Sequence, residues 1–217
     1  MIHKISRKEL LQAQAALLTA IILQVITRHI GGELLPGTQT FLIIIECALA
    51  GLIGFTVNVR HIRAVRLHHV AAVVLLALIS AANISALVFV LDQLIVTHAS
   101  ANGEQLLASA VAIFITNIIV FALWYWEIDS PGLTRTRWSR SDKDFQFTQQ
   151  DMVSEFPQWR PEFVDYVYLS ITNAVNFAPA DTRPLTRQAK ALMAAQSLVS
   201  VFTLALVIAR SVSILGN

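Results

Sequence analysis

Charge is the first thing this chain is short of. Asp, Glu, Lys and Arg make up 14% of its 217 residues, where a soluble domain carries about 25%. With 55% hydrophobic residues and a mean hydropathy of +0.61, that deficit points to a protein embedded in lipid. Cysteine is nearly absent as well. Cys47 stands alone, so no disulfide closes within the chain and no cysteine-based metal site forms. No small-residue cleavage signal follows the first apolar run, which ends Ile26-Thr27-Arg28-His29, so the N-terminal stretch is expected to be a retained span. No G-x-S-x-G, H-E-x-x-H or phosphate-loop pattern occurs, and the chain is therefore not expected to be an enzyme. The basic residues form no nucleic-acid motif and no cofactor is implied.

What the chain does have is apolar length. A spanning helix needs about 20 apolar residues. Five stretches reach that: residues 10–30, 38–59, 70–97, 104–126 and 188–214. The expected fold is all-α, a single membrane domain built as a bundle of about five transmembrane helices. Gly31-Gly32 and Pro36-Gly37 mark the first turn. Trp124-Tyr125-Trp126 closes the fourth span, and such residues favour the headgroup level. A polar segment, 127–160, follows. It contains Trp138, Phe145, Phe147, Phe156 and Trp159, too aromatic for a disordered linker, so it is expected to pack on the membrane-facing end of the bundle.

Orientation comes from the basic residues. Fourteen of the sixteen Lys and Arg fall on one side, leaving Arg28 and Arg210 on the other. Positive charge stays inside. The N-terminus, the loop after the second span and the polar segment are therefore expected in the cytoplasm, and the C-terminus outside.

The most distinctive stretch is Trp159 to Arg187, WRPEFVDYVYLSITNAVNFAPADTRPLTR. Pro161 suits a first helical position, and Glu162 and Asp165 suit the positive end of a helix. Residues 161–174 would span about 21 Å, too short to cross a bilayer. This helix is expected to be either re-entrant or interfacial, with an irregular chain from Asn176 to Pro184.

Polar groups inside the spans are candidates for function. Glu46 lies near the middle of the second span, where a carboxylate costs about 2.5–3.5 kcal/mol. It is read either as an ion or proton relay or as an interior carboxyl bonded to a neighbouring helix. Asn83 and Asn117 fall at similar depths and are expected to pair as amides. Asp92, near an outer end, is expected to pair with Arg28 or Arg210. Arg60, Arg63 and Arg66, with His61, His68 and His69, suit anionic lipid headgroups. No Asp or Glu is near enough in sequence to complete a metal site there. Ala82 and Ala86, Ala108 and Ala112, and Ala191 and Ala195 are spaced as helix-packing surfaces.

Two resemblances are carried by motifs. YLSITNAVNFAPADTRPLTR, followed by an apolar helix, resembles the pore helix, filter and inner helix of tetrameric potassium channels, with Thr172-Asn173-Ala174-Val175-Asn176-Phe177 in the filter position. Val175 and Phe177 stand where the filter glycines would be, and the charge bias puts the loop inside, so potassium selectivity is not implied. The second resemblance covers nearly the whole chain. Phe121-Ala122-Leu123-Trp124-Tyr125-Trp126-Glu127, Trp159-Arg160-Pro161, Asp165-Tyr166, Thr172-Asn173-Ala174 and Phe177-Ala178-Pro179-Ala180-Asp181-Thr182 are similar to an uncharacterised family of bacterial integral membrane proteins that read F-T-N-A-x-x-F-[SA]-P-x-D-T. Val207-Ile208-Ala209-Arg210-Ser211-Val212-Ser213-Ile214-Leu215 is similar to that family's ending. The resemblance implies a multi-pass protein of the bacterial plasma (inner) membrane and no particular activity.

Two function classes follow. One is a channel- or transporter-like pathway for an ion or small solute. Its polar elements would be Glu46, Asn83, Asn117, Thr172, Asn173, Asn176, Phe177, Pro179, Asp181 and Thr182. The other is a non-transporting scaffold, sensor or partner subunit. The lipid bilayer is the expected partner in both, and a homo-oligomer is compatible because five helices alone make a poor symmetric pore.

Overall fold

The computed structural model describes residues 7–31, 44–48, 50–51, 62–95, 103–129, 143–157, 159–177, 179 and 181–215. Four long helices dominate: α1 (Arg7–Gly31), α2 (Ile62–Ile95), α3 (Gly103–Asp129) and, last in the chain, α6 (Arg187–Leu215). Between α3 and α6 come strand β1 (Phe145–Phe147), the single turn α4 (Thr148–Asp151), helix α5 (Phe163–Asn176) and strand β2 (Thr182–Pro184). Among the described residues, four segments are long and apolar enough to cross a membrane: Lys8–Thr27, Val70–Asp92, Glu104–Asp129 and Arg187–Ala209. The expected span at 38–59 falls largely outside the described residues, of which 44–48 and 50–51 are helical.

Helix α3 is the axis of the bundle and touches α1, α2, α5 and α6. One apolar cluster fills the end of the bundle near Trp126, joining Leu10, Leu17, Leu75, Ile79, Leu123 and Phe163. A second, around Leu87, Val90, Ile113 and Leu206, fills the other end. The outer faces are apolar too. Leu18 and Ile22 on α1, Val74 and Val88 on α2, and Leu198, Phe202 and Ile208 on α6 are all exposed. A helix that is apolar all round suits lipid on one side and protein on the other.

Several expectations are corrected. Helix α3 runs three residues past 126, and its terminal Glu127 and Asp129 are buried. Trp124-Tyr125-Trp126 is no exposed belt at this end. Tyr125 and Trp126 are fully buried and Trp124 half-buried, because α5 and the polar segment fold over them. Tyr125 packs edge-on against Phe145, and Trp126 against Phe163, with ring centroids 5.2 and 5.3 Å apart. The polar segment thus packs on the bundle as expected, through aromatic contacts whose geometry is favourable in its own right. The chain before Pro184 is not wholly irregular: β2 pairs antiparallel with β1, Phe147 opposite Thr182 and Phe145 opposite Pro184. Of the small-residue surfaces, Ala86 and Ala112 are buried, whereas Ala108, Ala191 and Ala195 face outward.

Candidate functional site

The site is the polar layer where α3, α5 and α6 meet. Helix α5 begins two residues later than Pro161 suggests, at Phe163, with Pro161 buried ahead of it. The Glu162 backbone N–H donates to Asp165 Oδ2 at 2.7 Å, and the Asp165 N–H to the Glu162 carbonyl at 3.0 Å. These bonds occupy backbone donors that a helix start leaves without intrahelical partners. Burial raises the Asp165 carboxyl above its ordinary range. The helix ends at Phe177, which takes a left-handed conformation at φ 59°. Glycine or Asn usually holds that position, and here an exposed Phe does.

The two faces of α5 differ. Phe163, Tyr166, Leu169, Ser170, Asn173 and Ala174 are buried. Val164, Tyr168, Ile171 and Val175 point outward and are exposed. Their spacing of four, three and four residues makes a continuous apolar stripe along one side of the helix.

Asn173 and Gln196 are the hub of the buried face. The Asn173 amide nitrogen donates to Gln196 Oε1 at 2.8 Å, to the Met193 carbonyl at 3.0 Å and to the Tyr125 hydroxyl at 3.2 Å. The Tyr125 hydroxyl also donates to Gln196 Oε1. The Gln196 amide nitrogen donates to Ser170 Oγ at 2.7 Å and to the Ser170 carbonyl at 3.0 Å. Ser170 Oγ in turn donates to the Ile118 carbonyl at 2.6 Å. Each group is buried and each is bonded to another helix, which is the condition for a polar network inside apolar surroundings. Along α6 the layer continues to Ser200, whose hydroxyl accepts from the Asn117 amide at 2.9 Å.

A second cluster sits at the end of α3. Asp129 Oδ1 accepts from the backbone N–H groups of Asp144 and Phe145 at 2.7 and 3.0 Å. Its Oδ2 accepts from the Tyr166 hydroxyl at 2.6 Å. Burial first, and then the charge of Asp129, push the Tyr166 phenol well above its ordinary range. One carboxyl group thus ties α3 to β1 and to α5. Thr186 bonds to the Asp144 side chain and caps α6 by accepting from the Ala189 N–H at 3.2 Å. The Leu185 N–H donates to the Asp144 carbonyl at 2.8 Å.

The residues expected to line a pathway are therefore dispersed. Asn173 and Asn117 join the buried layer. Asn83 does not pair with Asn117. Its amide donates to the Ile113 carbonyl at 3.3 Å, while Asn117 faces α6. Thr172 turns back to the Tyr168 and Leu169 carbonyls of its own helix, both at 3.0 Å. Asn176 and Phe177 are exposed and Pro179 is half-buried. The Asp181 carbonyl accepts from the Thr148 N–H and hydroxyl at 3.1 and 2.7 Å, closing the ribbon. Thr182 is buried with no partner for its hydroxyl. The Phe177-to-Thr182 motif is thus a helix stop and a strand start. Asp92 is exposed. Arg60, and the side chains of Arg28, Arg63, Arg66 and Arg210, lie outside the described residues.

Glu46 stands apart. It is fully buried, and neither of its carboxylate oxygens has a hydrogen-bond partner. Cys47 beside it faces outward. A cavity of about 420 Å³ opens at the start of α5 between Glu9, Trp159, Arg160, Pro161, Glu162, Val164 and Asp165. Among the described residues no three His, Cys, Asp or Glu side chains come together to hold a metal ion.

In the sequence Tyr125 and Tyr166 stand out only as parts of motifs, and neither they nor Asp129 and Gln196 are marked there as members of a site. Gln196 was a visible signal, a carboxamide deep in an otherwise apolar stretch. No protein-family model, no curated protein and no solved structure matches the chain.

Proposed function

We propose that this chain is a non-transporting, multi-pass membrane protein. Its working part is the platform formed by α5, the β1–β2 ribbon and the adjoining ends of α3 and α6, and it serves as a scaffold or partner subunit. One observation carries this reading. The polar layer between α3, α5 and α6 uses its amide and hydroxyl groups to bond to itself. A solute pathway needs polar groups that trade protein partners for the solute, and Asn173 and Gln196 have theirs committed.

The topology that goes with it has five spans, the second at 38–59, with the platform on the cytoplasmic side. The distribution of Lys and Arg supports that side. The family resemblance supports the bacterial inner membrane. Helix α5 is re-entrant in this reading. Ser170 reaches the Ile118 carbonyl, eleven residues inward from Asp129, a depth of about 16 Å along α3. The outward stripe of Val164, Tyr168, Ile171 and Val175 then meets lipid tails.

The test is reconstitution into liposomes with proton, sodium and potassium gradients. Leak no faster than in empty liposomes is the expected result. Flux through the wild type that Glu46→Gln abolishes would overturn the reading in favour of a pathway, the second reading, which the bare oxygens of Glu46 favour. In a Cys47→Ser background, cysteines at Gln149 and Leu185 are expected to label from the cytoplasmic side only.

A further inference from the structure

We propose that Glu46 is a proton-holding site, its side chain kept as the neutral carboxylic acid in the folded protein. This assignment holds with or without a solute pathway.

In the helical segment at 44–48, Ile44, Cys47 and Ala48 face outward and Glu46 faces in, at 0% exposure. Its two oxygens meet no donor. No charged side chain faces it closely enough to act on it from any described element. An ionised carboxylate accepts hydrogen bonds and donates none, so this form would carry a full charge with nothing to answer it. Burial of such a charge costs far more than burial of a neutral polar group. One proton removes the charge, and the remaining hydroxyl is a much smaller liability.

Comparison within the molecule sharpens the point. Asp129 is also buried, but it receives two backbone N–H groups and a phenol. Glu9 and Glu127 are buried and have partners. Glu46 is the buried carboxyl among the described residues left bare on both oxygens. Partners could replace the proton at the other three, and at Glu46 there are none.

The probe is dicyclohexylcarbodiimide, applied to the full-length protein in liposomes. It enters bilayers and adds to the protonated acid. The carboxyl proton passes to one carbodiimide nitrogen and the carboxyl oxygen bonds to the central carbon. An oxygen-to-nitrogen acyl shift then gives a stable N-acylurea with no leaving group. Peptide mass spectrometry is expected to find the adduct on Glu46 at pH 7, and none in Glu46→Gln. Labelling falls about ten-fold per pH unit once the pH passes the ionisation of the group. An infrared difference spectrum, wild type minus Glu46→Gln, gives an independent readout and is expected to contain the carbonyl band of a protonated acid. Carboxylate bands in its place at pH 7 overturn the proposal, whatever the labelling. Slowing of the labelling by sodium or potassium also overturns it, because a metal cation would then be the neutralising partner.

Discussion

Two regions of this molecule bury polar side chains, and they do it in opposite ways. Where α3, α5 and α6 meet, Tyr125, Ser170, Asn173 and Gln196 satisfy one another. In the first part of the chain, Gln12 Oε1, Gln24 Oε1 and both oxygens of Glu46 are buried with no donor. Gln24 is half-satisfied, its amide nitrogen donating to the Ile79 carbonyl at 3.2 Å. All four bare atoms are acceptors. The closed network locks three helices in register. The bare acceptors lock nothing, and they lower their cost only by taking up a proton or a donor from outside the described chain. The amount of polar surface buried is therefore a poor guide to function. Bare polar atoms also lie beside the closed network, at Trp126 Nε1 and Thr182 Oγ1, so it is a bare buried carboxyl, whose charge is far costlier to bury than a neutral group, that marks a reactive position.

Breaking the closed region should have the largest effect. Gln196 takes part in four hydrogen bonds with Tyr125, Asn173 and Ser170. Hydrogen bonds between membrane helices average about 0.6 kcal/mol each, so Gln196→Leu should cost about 2–3 kcal/mol. Unfolding titrations in mixed micelles would measure it. A loss below about 0.5 kcal/mol would mean that the network contributes no more than one such bond. The next effect belongs to the clamp at the end of α3. Tyr166→Phe removes the donor to Asp129 Oδ2 and leaves a buried carboxylate oxygen bare, at about 1–3 kcal/mol. Because Asp129 also holds the Asp144 and Phe145 N–H groups, proteolysis within 143–157 should accelerate in this variant while α6 stays protected. Equal acceleration everywhere would show that the clamp is not local.

The contrast also explains what could be read from sequence. Long apolar runs signal lipid directly, because the bilayer sets a length and the chain must meet it. Four of the five expected stretches accordingly lie in long helices, three of them within three residues of the expected ends, while α2 begins eight residues before 70. The short helix near 161–174 was legible from Pro161, Glu162 and a length that falls short of a crossing. The site was mostly hidden. The partner of Asn173 is 23 residues further on, and that of Asp129 is 37. Neither separation follows a helical period within one element. Asn83 and Asn117 match in depth along the sequence, but depth carries no information about which way each faces, and they face different helices. The ribbon was missed because three-residue strands leave too few positions for alternation to register. Trp124-Tyr125-Trp126 looked interfacial because composition cannot reveal that another segment will cover it.

The smallest predicted effect bears on the comparison most directly, because it reverses sign. Gln12 lies on α1 with its side-chain oxygen buried and bare. A truncation in the closed network removes bonds, whereas Gln12→Leu removes an acceptor that has none, and replaces it with a side chain of similar length that the interior solvates better. An unsatisfied buried group carries about 1–3 kcal/mol of desolvation cost. Relieving part of it should raise stability by about 1 kcal/mol at most, or leave it unchanged. The same unfolding titration reads it. Destabilisation of Gln12→Leu by 1 kcal/mol or more would show that the bare oxygen has an undescribed donor, and would move Gln12 from the open region of the molecule to the closed one.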